Sequence, residues 1–176
     1  YGIHNYVKGH LNYGAAADWG GLLFEGVHLQ SDGFKELDGG ADTGFRKTEL
    51  TLKGRLNSDP NADLYHAGEI KLGFNLERSH ETYLGLTDGD FADNPYRRYA
   101  ASGLDQLDLW RTQAQASYSV GNEAFDAKLT LYRHDVSRAW RKLNDFAGGT
   151  RLSAVLADPS GGTRGLLYDV LAGKGN

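Results

Sequence analysis

The chain has 176 residues, a formal charge of −4 and 40% hydrophobic residues, with no cysteine and no methionine. Lack of cysteine rules out a disulfide framework and thiolate metal sites, and mild acidity argues against nucleic acid as a partner, which needs a clustered basic face. No run approaches the roughly 20 apolar residues of a membrane helix, which excludes helical spans but not a barrel, where only every second residue meets lipid. With no methionine, Tyr1 inside a strand-like pattern and "GKGN" closing nothing, the sequence reads as a piece of something longer. Any leader peptide would then lie outside it.

Taken in order, the segments repeat one pattern. "IHNYVKGHLNY" (3–13) sets Ile3, Val7, Leu11 and Tyr13 against His4, Tyr6, Lys8, His10 and Asn12. Period two is the mark of a strand with one apolar and one wet face. "WGGLLFEGVHLQ" (19–30) changes sides, with Leu22 and Phe24 on one face and Val27 and Leu29 on the other, so a bulge is expected near Glu25–Gly26. "RKTELTLKGRL" (46–56) puts Lys47, Glu49, Thr51, Lys53 and Arg55 opposite Leu50, Leu52 and Leu56. "GEIKLGFNLE" (68–77) puts Glu69, Lys71, Asn75 and Glu77 opposite Ile70, Leu72, Phe74 and Leu76. "WRTQAQASYSV" (110–120) and "FDAKLTLYRH" (125–134) continue the alternation, with Arg111 and Gln113, then Asp126 and Lys128, on the wet side.

The connections alternate as well. Residues 14–18, 57–63 and 121–124 are short; 31–45, 79–108 and everything after about Ser137 are long. In an up-and-down antiparallel sheet successive connections fall on opposite edges, so all the long loops share one side. Soluble strands average about 5–6 residues. A strand of about 11 residues, at about 3.3 Å per residue and a tilt near 40°, rises roughly 28 Å, close to a bilayer core of about 30 Å. Tyr13, Trp19, Tyr118 and Phe125 flank the short turns on the apolar parity, as an interfacial girdle would. Glu49, Lys53, Arg55, Glu69, Lys71, Arg111, Gln113, Asp126 and Lys128 would then line a lumen. Arg133 takes the apolar parity and is expected near the outer end of its strand.

The long loops hold the remaining chemistry. In "NPYRRY", paired arginines can grip a carboxylate-rich anion by bidentate hydrogen bonds. They can equally pair with Asp88, Asp90 and Asp93 or with lipopolysaccharide phosphates. "TDGDFAD" lacks the spacing of a calcium loop and reads as solvated acids. The six histidines have no zinc-like spacing, with His4 and His10 expected on the wet face, and no nucleophile elbow is present. No catalytic residue, metal or cofactor is expected. Leu152, Val155 and Leu156, then Leu166, Leu167, Val170 and Leu171, predict two short helices broken at Asp158–Pro159 and Gly161–Gly162, which would cover the barrel mouth or, as favoured here, fold over its rim.

"SHETYLGLTDGDFADNPYRRYAAS" resembles the TonB-dependent outer-membrane receptors of the ferric-citrate type. "LYRHDVSRAWRKLNDF", "LSAVLADP" and "EGVHLQSDGFKELDGG" resemble further segments of that family, so the likeness covers roughly residues 20–175. It implies an all-β fold: residues 1–176 would be part of a transmembrane β-barrel of about 22 strands, contributing about six long antiparallel up-and-down strands with long external loops. The plug domain and the TonB-contacting segment would lie outside this chain. The implied function is energised import of a ferric chelate, ferric citrate or a siderophore, across an outer membrane, without catalysis. Tyr96, Arg97, Arg98 and Tyr99 become the candidate ligand contacts, and the plug, the TonB complex and lipid or lipopolysaccharide the partners. A passive porin shares these patterns, and a soluble β-sandwich binding module stays open if a second sheet covers the apolar face.

Overall fold

The computed structural model describes residues 2–174; Tyr1, with the expectation that it lies in a strand, and the last two residues fall outside them. The first strand, β1, is Val7–Ala17, followed by β2 (Gly20–Ser31), a two-residue β3 (Glu36–Leu37), β4 (Phe45–Asn57) and β5 (Tyr65–His80). A short helix α1 (Asp88–Asp93), a two-residue β6 (Arg97–Arg98) and a 3₁₀ turn at Ala100–Leu104 precede β7 (Gln106–Gly121) and β8 (Asp126–Arg141). Helices α2 (Leu152–Ala157) and α3 (Gly162–Leu171) end the order. Six strands form one antiparallel sheet in the order β1-β2-β4-β5-β7-β8, up and down throughout, and β1 and β8 are its open edges.

The six expected strands are all present, with shifted bounds. The first starts at Val7 because His4 and Asn5 take positive φ (55° and 51°), so His4 lies in a turn and not on the wet face. It runs on to Ala17, which shrinks the first connection to Asp18 and Trp19. Asn57 secures that hairpin, its side chain donating to the Asp18 carbonyl at 2.6 Å and its backbone N–H to the Trp19 carbonyl at 2.9 Å. Gly20 is needed there: a Cβ would stand 2.3 Å from the Arg55 carbonyl oxygen. The expected bulge in β2 is absent, since Gly20–Ser31 pairs residue for residue with β4. Val27 and Leu29 therefore share the face of Glu49 and Lys47, their cross-strand partners. The last strand continues to Arg141, into the region after Ser137 that was expected to be irregular. This places Arg133 at mid-strand, where Asp135 accepts two hydrogen bonds from its guanidinium at 2.7 and 3.0 Å.

The two faces of the sheet differ in chemistry, and the apolar one is not enclosed. Strand register stacks Leu52, Leu72 and Ala114 side by side, and next to them Gly54, Ile70, Ala116 and Leu131. These apolar side chains are open: Leu72 is 45% exposed, Ile70 57% and Leu131 63%. On the opposite face Asn75 and Ser117 are buried. Among the described residues no second sheet or helix covers the apolar face. The buried hydrophobic cluster lies elsewhere, in the loops, and comprises Leu84, Tyr99, Val155, Leu171 and Ala172.

Candidate functional site

Connections 18–19, 58–64 and 122–125 lie at one edge of the sheet, and 32–44, 81–105 and 142–174 at the other. The three long segments fold into one unit. β3 and β6 pair in parallel, Glu36 opposite Arg97 and Leu37 opposite Arg98, which ties the first loop to the second. Val155 of α2 and Leu171 of α3 pack on Leu84 and Tyr99, which ties in the third. The two helices form where their periodicity places them, and Gly161 (φ 78°) and Gly162 (φ 55°) supply the left-handed turn between them.

Asp90 is the hub of this unit. One carboxylate oxygen accepts from the Tyr99 hydroxyl at 2.5 Å, the Tyr168 hydroxyl at 2.7 Å and the Thr87 hydroxyl at 2.8 Å. The other accepts from Arg97, whose guanidinium also makes a fork to Asp38 at 2.9–3.1 Å. Residues from all three loops thus converge on one carboxylate. Burial works against the charged form of Asp90, but the hydrogen bonds from Tyr99, Tyr168 and Thr87 and the charge of Arg97 outweigh it and hold its pKa below the ordinary aspartate value. Burial first, then the bond to Asp90, pushes the Tyr168 phenol up to about 12. The hydrogen bond to Asp38 leads the causes that raise Arg97.

The expected ligand run is therefore divided. Tyr99 is fully buried, its hydroxyl also accepting from the Thr87 backbone N–H at 2.9 Å, so it is a core residue of the loop unit. Arg97 is spent on Asp38 and Asp90, an internal pairing of the kind its acidic neighbours allowed. Arg98 donates to the backbone carbonyls of Pro95 and Arg97 and has no carboxylate partner among the described residues. Tyr96 is half exposed and meets Phe34 edge-on at 6.2 Å between ring centroids. Lys35 lies near Arg98: burial, then the Arg98 charge, lowers its pKa, and its ammonium donates to Thr82 at 2.6 Å. Of the expected run, the geometry thus leaves Tyr96 and Arg98 accessible, beside Phe34 and Lys35.

The pattern of "TDGDFAD" makes Asp90 a solvated loop acid, but it is the least exposed of the three aspartates there. The signal for its role is Thr87 three residues before it. Thr87 caps α1, its hydroxyl accepting from the Asp90 N–H at 3.1 Å, the threonine half of a capping box.

Strand register brings the nine expected lumen residues onto one face. Arg55 lies opposite Glu69, Lys53 opposite Lys71, Glu49 opposite Asn75, Arg111 opposite Asn75, and Gln113 opposite Gly73. Lys128 lies opposite Ser119, and Asp126 opposite Gly121. Few have partners: Glu49 accepts from Asn75 at 2.7 Å and lies 3.1 Å from Lys47, and Arg55 donates to Tyr65 at 2.8 Å. Among the described residues Lys53, Glu69, Lys71, Arg111, Asp126 and Lys128 form no ion pair, and Lys53 faces Lys71 across neighbouring strands. Arg55, Glu69, Asp126, Lys128 and Phe125 border a depression of about 480 Å³ near the short turns. No group of three or more histidines and carboxylates is placed to hold a metal among the described residues.

No protein-family model matches the chain, and neither a curated protein nor a solved structure matches it.

The loop unit should respond to acid. A carboxylate whose folded pKa lies below its unfolded value adds stability that is complete above the unfolded value, about 4, and is lost as pH falls through the folded one. The Tyr168 phenol, raised to about 12, has the opposite sign: its contribution is complete below about 10 and is lost as pH rises through about 12. Hydrogen exchange of the α3 amides, corrected for intrinsic rates, is expected to stay slow across neutral pH and to accelerate below about pH 4.

Proposed function

We propose that this chain is part of the wall of an outer-membrane β-barrel that takes up a ferric chelate with energy supplied through a TonB complex. The observation that carries the barrel reading is the open apolar side, which no other element covers among the described residues, set against an opposite side that carries the charges. Water would select the opposite arrangement, whereas lipid outside a polar lumen selects this one. From Trp110 to Val120 the outward-parity residues of β7 rise about 25 Å at a tilt near 40°, the height of a barrel's apolar band. Arg133 would fall within that band, neutralised by Asp135. The open edges β1 and β8 would pair with further strands of the same barrel, which removes exposed edges altogether.

In this reading the loop unit faces outward and the tight turns face the periplasm. The face bearing Glu49, Lys53, Lys71 and Arg111 meets the plug, and its unpaired charges find water or plug residues there. Tyr96 and Arg98 contact the chelate, where a guanidinium answers a carboxylate-rich anion. The receptor reading, as opposed to a passive channel, rests on the resemblance of residues 79–102. It is tested by uptake of radiolabelled ferric citrate and ferric siderophores into cells carrying the intact protein. Uptake of one chelate that stops when the proton-motive force is dissipated supports a receptor; flux that persists indicates a porin. Tyr96→Ala with Arg98→Ala is expected to weaken chelate binding by about tenfold or more, followed by tryptophan fluorescence. Unchanged binding would move the site elsewhere.

A further inference from the structure

Asp90 is not the only enclosed carboxylate at the long-loop edge. Asp105 closes the 3₁₀ turn at Ala100–Leu104, leads into β7 and is 2% exposed. It ties the roots of two loops to that turn. Its carbonyl accepts from the Glu81 N–H at 3.1 Å, just past β5, and its Oδ1 from the Leu143 N–H at 3.0 Å, just past β8. Its Oδ2 is buried and has no hydrogen-bond partner among the described residues. Three residues earlier Ser102 is equally enclosed, and its Oγ is buried without a partner as well. The Asp105 N–H donates to the Ser102 carbonyl at 3.0 Å, the bond of a 3₁₀ turn, in which side chains three residues apart eclipse. Two unanswered oxygens, one of them a carboxylate's, thus project to the same side of one buried turn.

A buried polar atom without a partner is costly, and a buried charge without a counter-charge costs more. The Ser102 hydroxyl does not answer Asp105 itself, since no bond joins them. A neutral hydrogen-bonding molecule would satisfy both oxygens and leave the charge of the carboxylate unbalanced. A cation satisfies the oxygens and the charge together. From this we infer that the turn holds a sodium-like monovalent cation on Asp105 Oδ2 and Ser102 Oγ, with backbone carbonyls of the turn as further donors. Oxygen donors select a hard cation, and one carboxylate matches one positive charge. Calcium sites gather several carboxylates, and no group of three carboxylates or histidines stands together among the described residues. The cation would clamp the roots at Glu81 and Leu143, so the order of the long loops would follow the salt present. The site depends on neither the membrane nor the transport reading.

Hydrogen exchange of the intact protein tests it, in sodium chloride against choline chloride at equal ionic strength. With sodium at about ten times its dissociation constant, exchange of the Leu143 and Glu81 amides is expected to slow by about tenfold. Ser102→Ala is the decisive variant. An orphaned hydroxyl adds nothing to stability, so its removal should leave exchange in choline unchanged while abolishing the sodium effect. Asp105→Asn, which keeps an oxygen for the Leu143 N–H, should abolish it too. Crystals soaked in thallium(I) acetate should show anomalous scattering between Ser102 and Asp105. Equal exchange in the two salts, a sodium effect that survives Ser102→Ala, or a site there that gives no thallium signal would overturn the inference.

Discussion

Replacing Asp90 with alanine is expected to loosen all three long loops together. Its carboxylate accepts from Thr87, Tyr99 and Tyr168 and pairs with Arg97. Without it the buried Tyr99 hydroxyl and the part-buried Tyr168 hydroxyl lose their acceptor, at up to about 1–3 kcal/mol each. Arg97 keeps its fork to Asp38, so the guanidinium is not stranded. The expected local loss is about 3–5 kcal/mol, confined to the loop unit because the sheet contributes nothing to this network. Hydrogen exchange would show it as faster exchange in residues 87–105 and in α3 together, with the strand amides unchanged. Asp90→Asn, which keeps one acceptor oxygen, should fall between wild type and alanine. If residues 87–105 loosen while α3 keeps its protection, the hub role assigned to Asp90 is wrong.

A second large effect distinguishes the two faces of one strand. Leu72 sits in mid-sheet between Leu52 and Ala114, and Lys71 is its neighbour on the opposite face. If the apolar face meets lipid, Leu72→Arg costs about 2–4 kcal/mol near the midplane. Lys71→Leu should cost little, since it removes a like charge opposite Lys53. In water the balance is otherwise: Leu72 is 45% exposed, and a charge there would be nearly free. Urea unfolding of the intact protein in bilayers measures both variants on one scale. Near-equal values for the two substitutions would argue against lipid on the Leu72 side.

Period two was easy to read because one face of each strand is almost uniformly apolar, as along Ile70, Leu72, Phe74 and Leu76. The side of each charged strand residue follows from parity alone. The ends of strands were harder, because small residues such as Gly14 to Ala17 carry no alternation and only pairing with β2 shows that they are strand. Val27 and Leu29 suggested a bulge because apolar residues were assumed to seek the apolar face. Residue-for-residue pairing with β4 instead puts both on the polar face, where they are half-buried. The loop unit was least legible. Its helices showed through leucine spacing, but Asp90 draws its partners from Arg97, Tyr99 and Tyr168, and the last of these is 78 residues away. Local pattern cannot reveal such a pairing. It also cannot show that Tyr99 is buried while Tyr96, three residues earlier, is open.

The central claim is that lipid lies against the Leu52, Leu72, Ala114 and Leu131 side of the sheet. The chain has no cysteine, so each introduced one is unique within it. Spin labels would be attached at those four positions, and at Lys53, Lys71, Gln113 and Lys128, in the intact protein reconstituted into bilayers. Relaxation by oxygen, which concentrates in lipid, would be compared with relaxation by a water-soluble nickel complex. Oxygen should dominate at the four apolar positions, with a maximum near Leu72, and the nickel complex should reach those positions least. Labels at the four polar positions should show little oxygen exposure. If the nickel complex relaxes labels at Leu52, Leu72, Ala114 and Leu131 freely, that face meets water and the barrel reading fails.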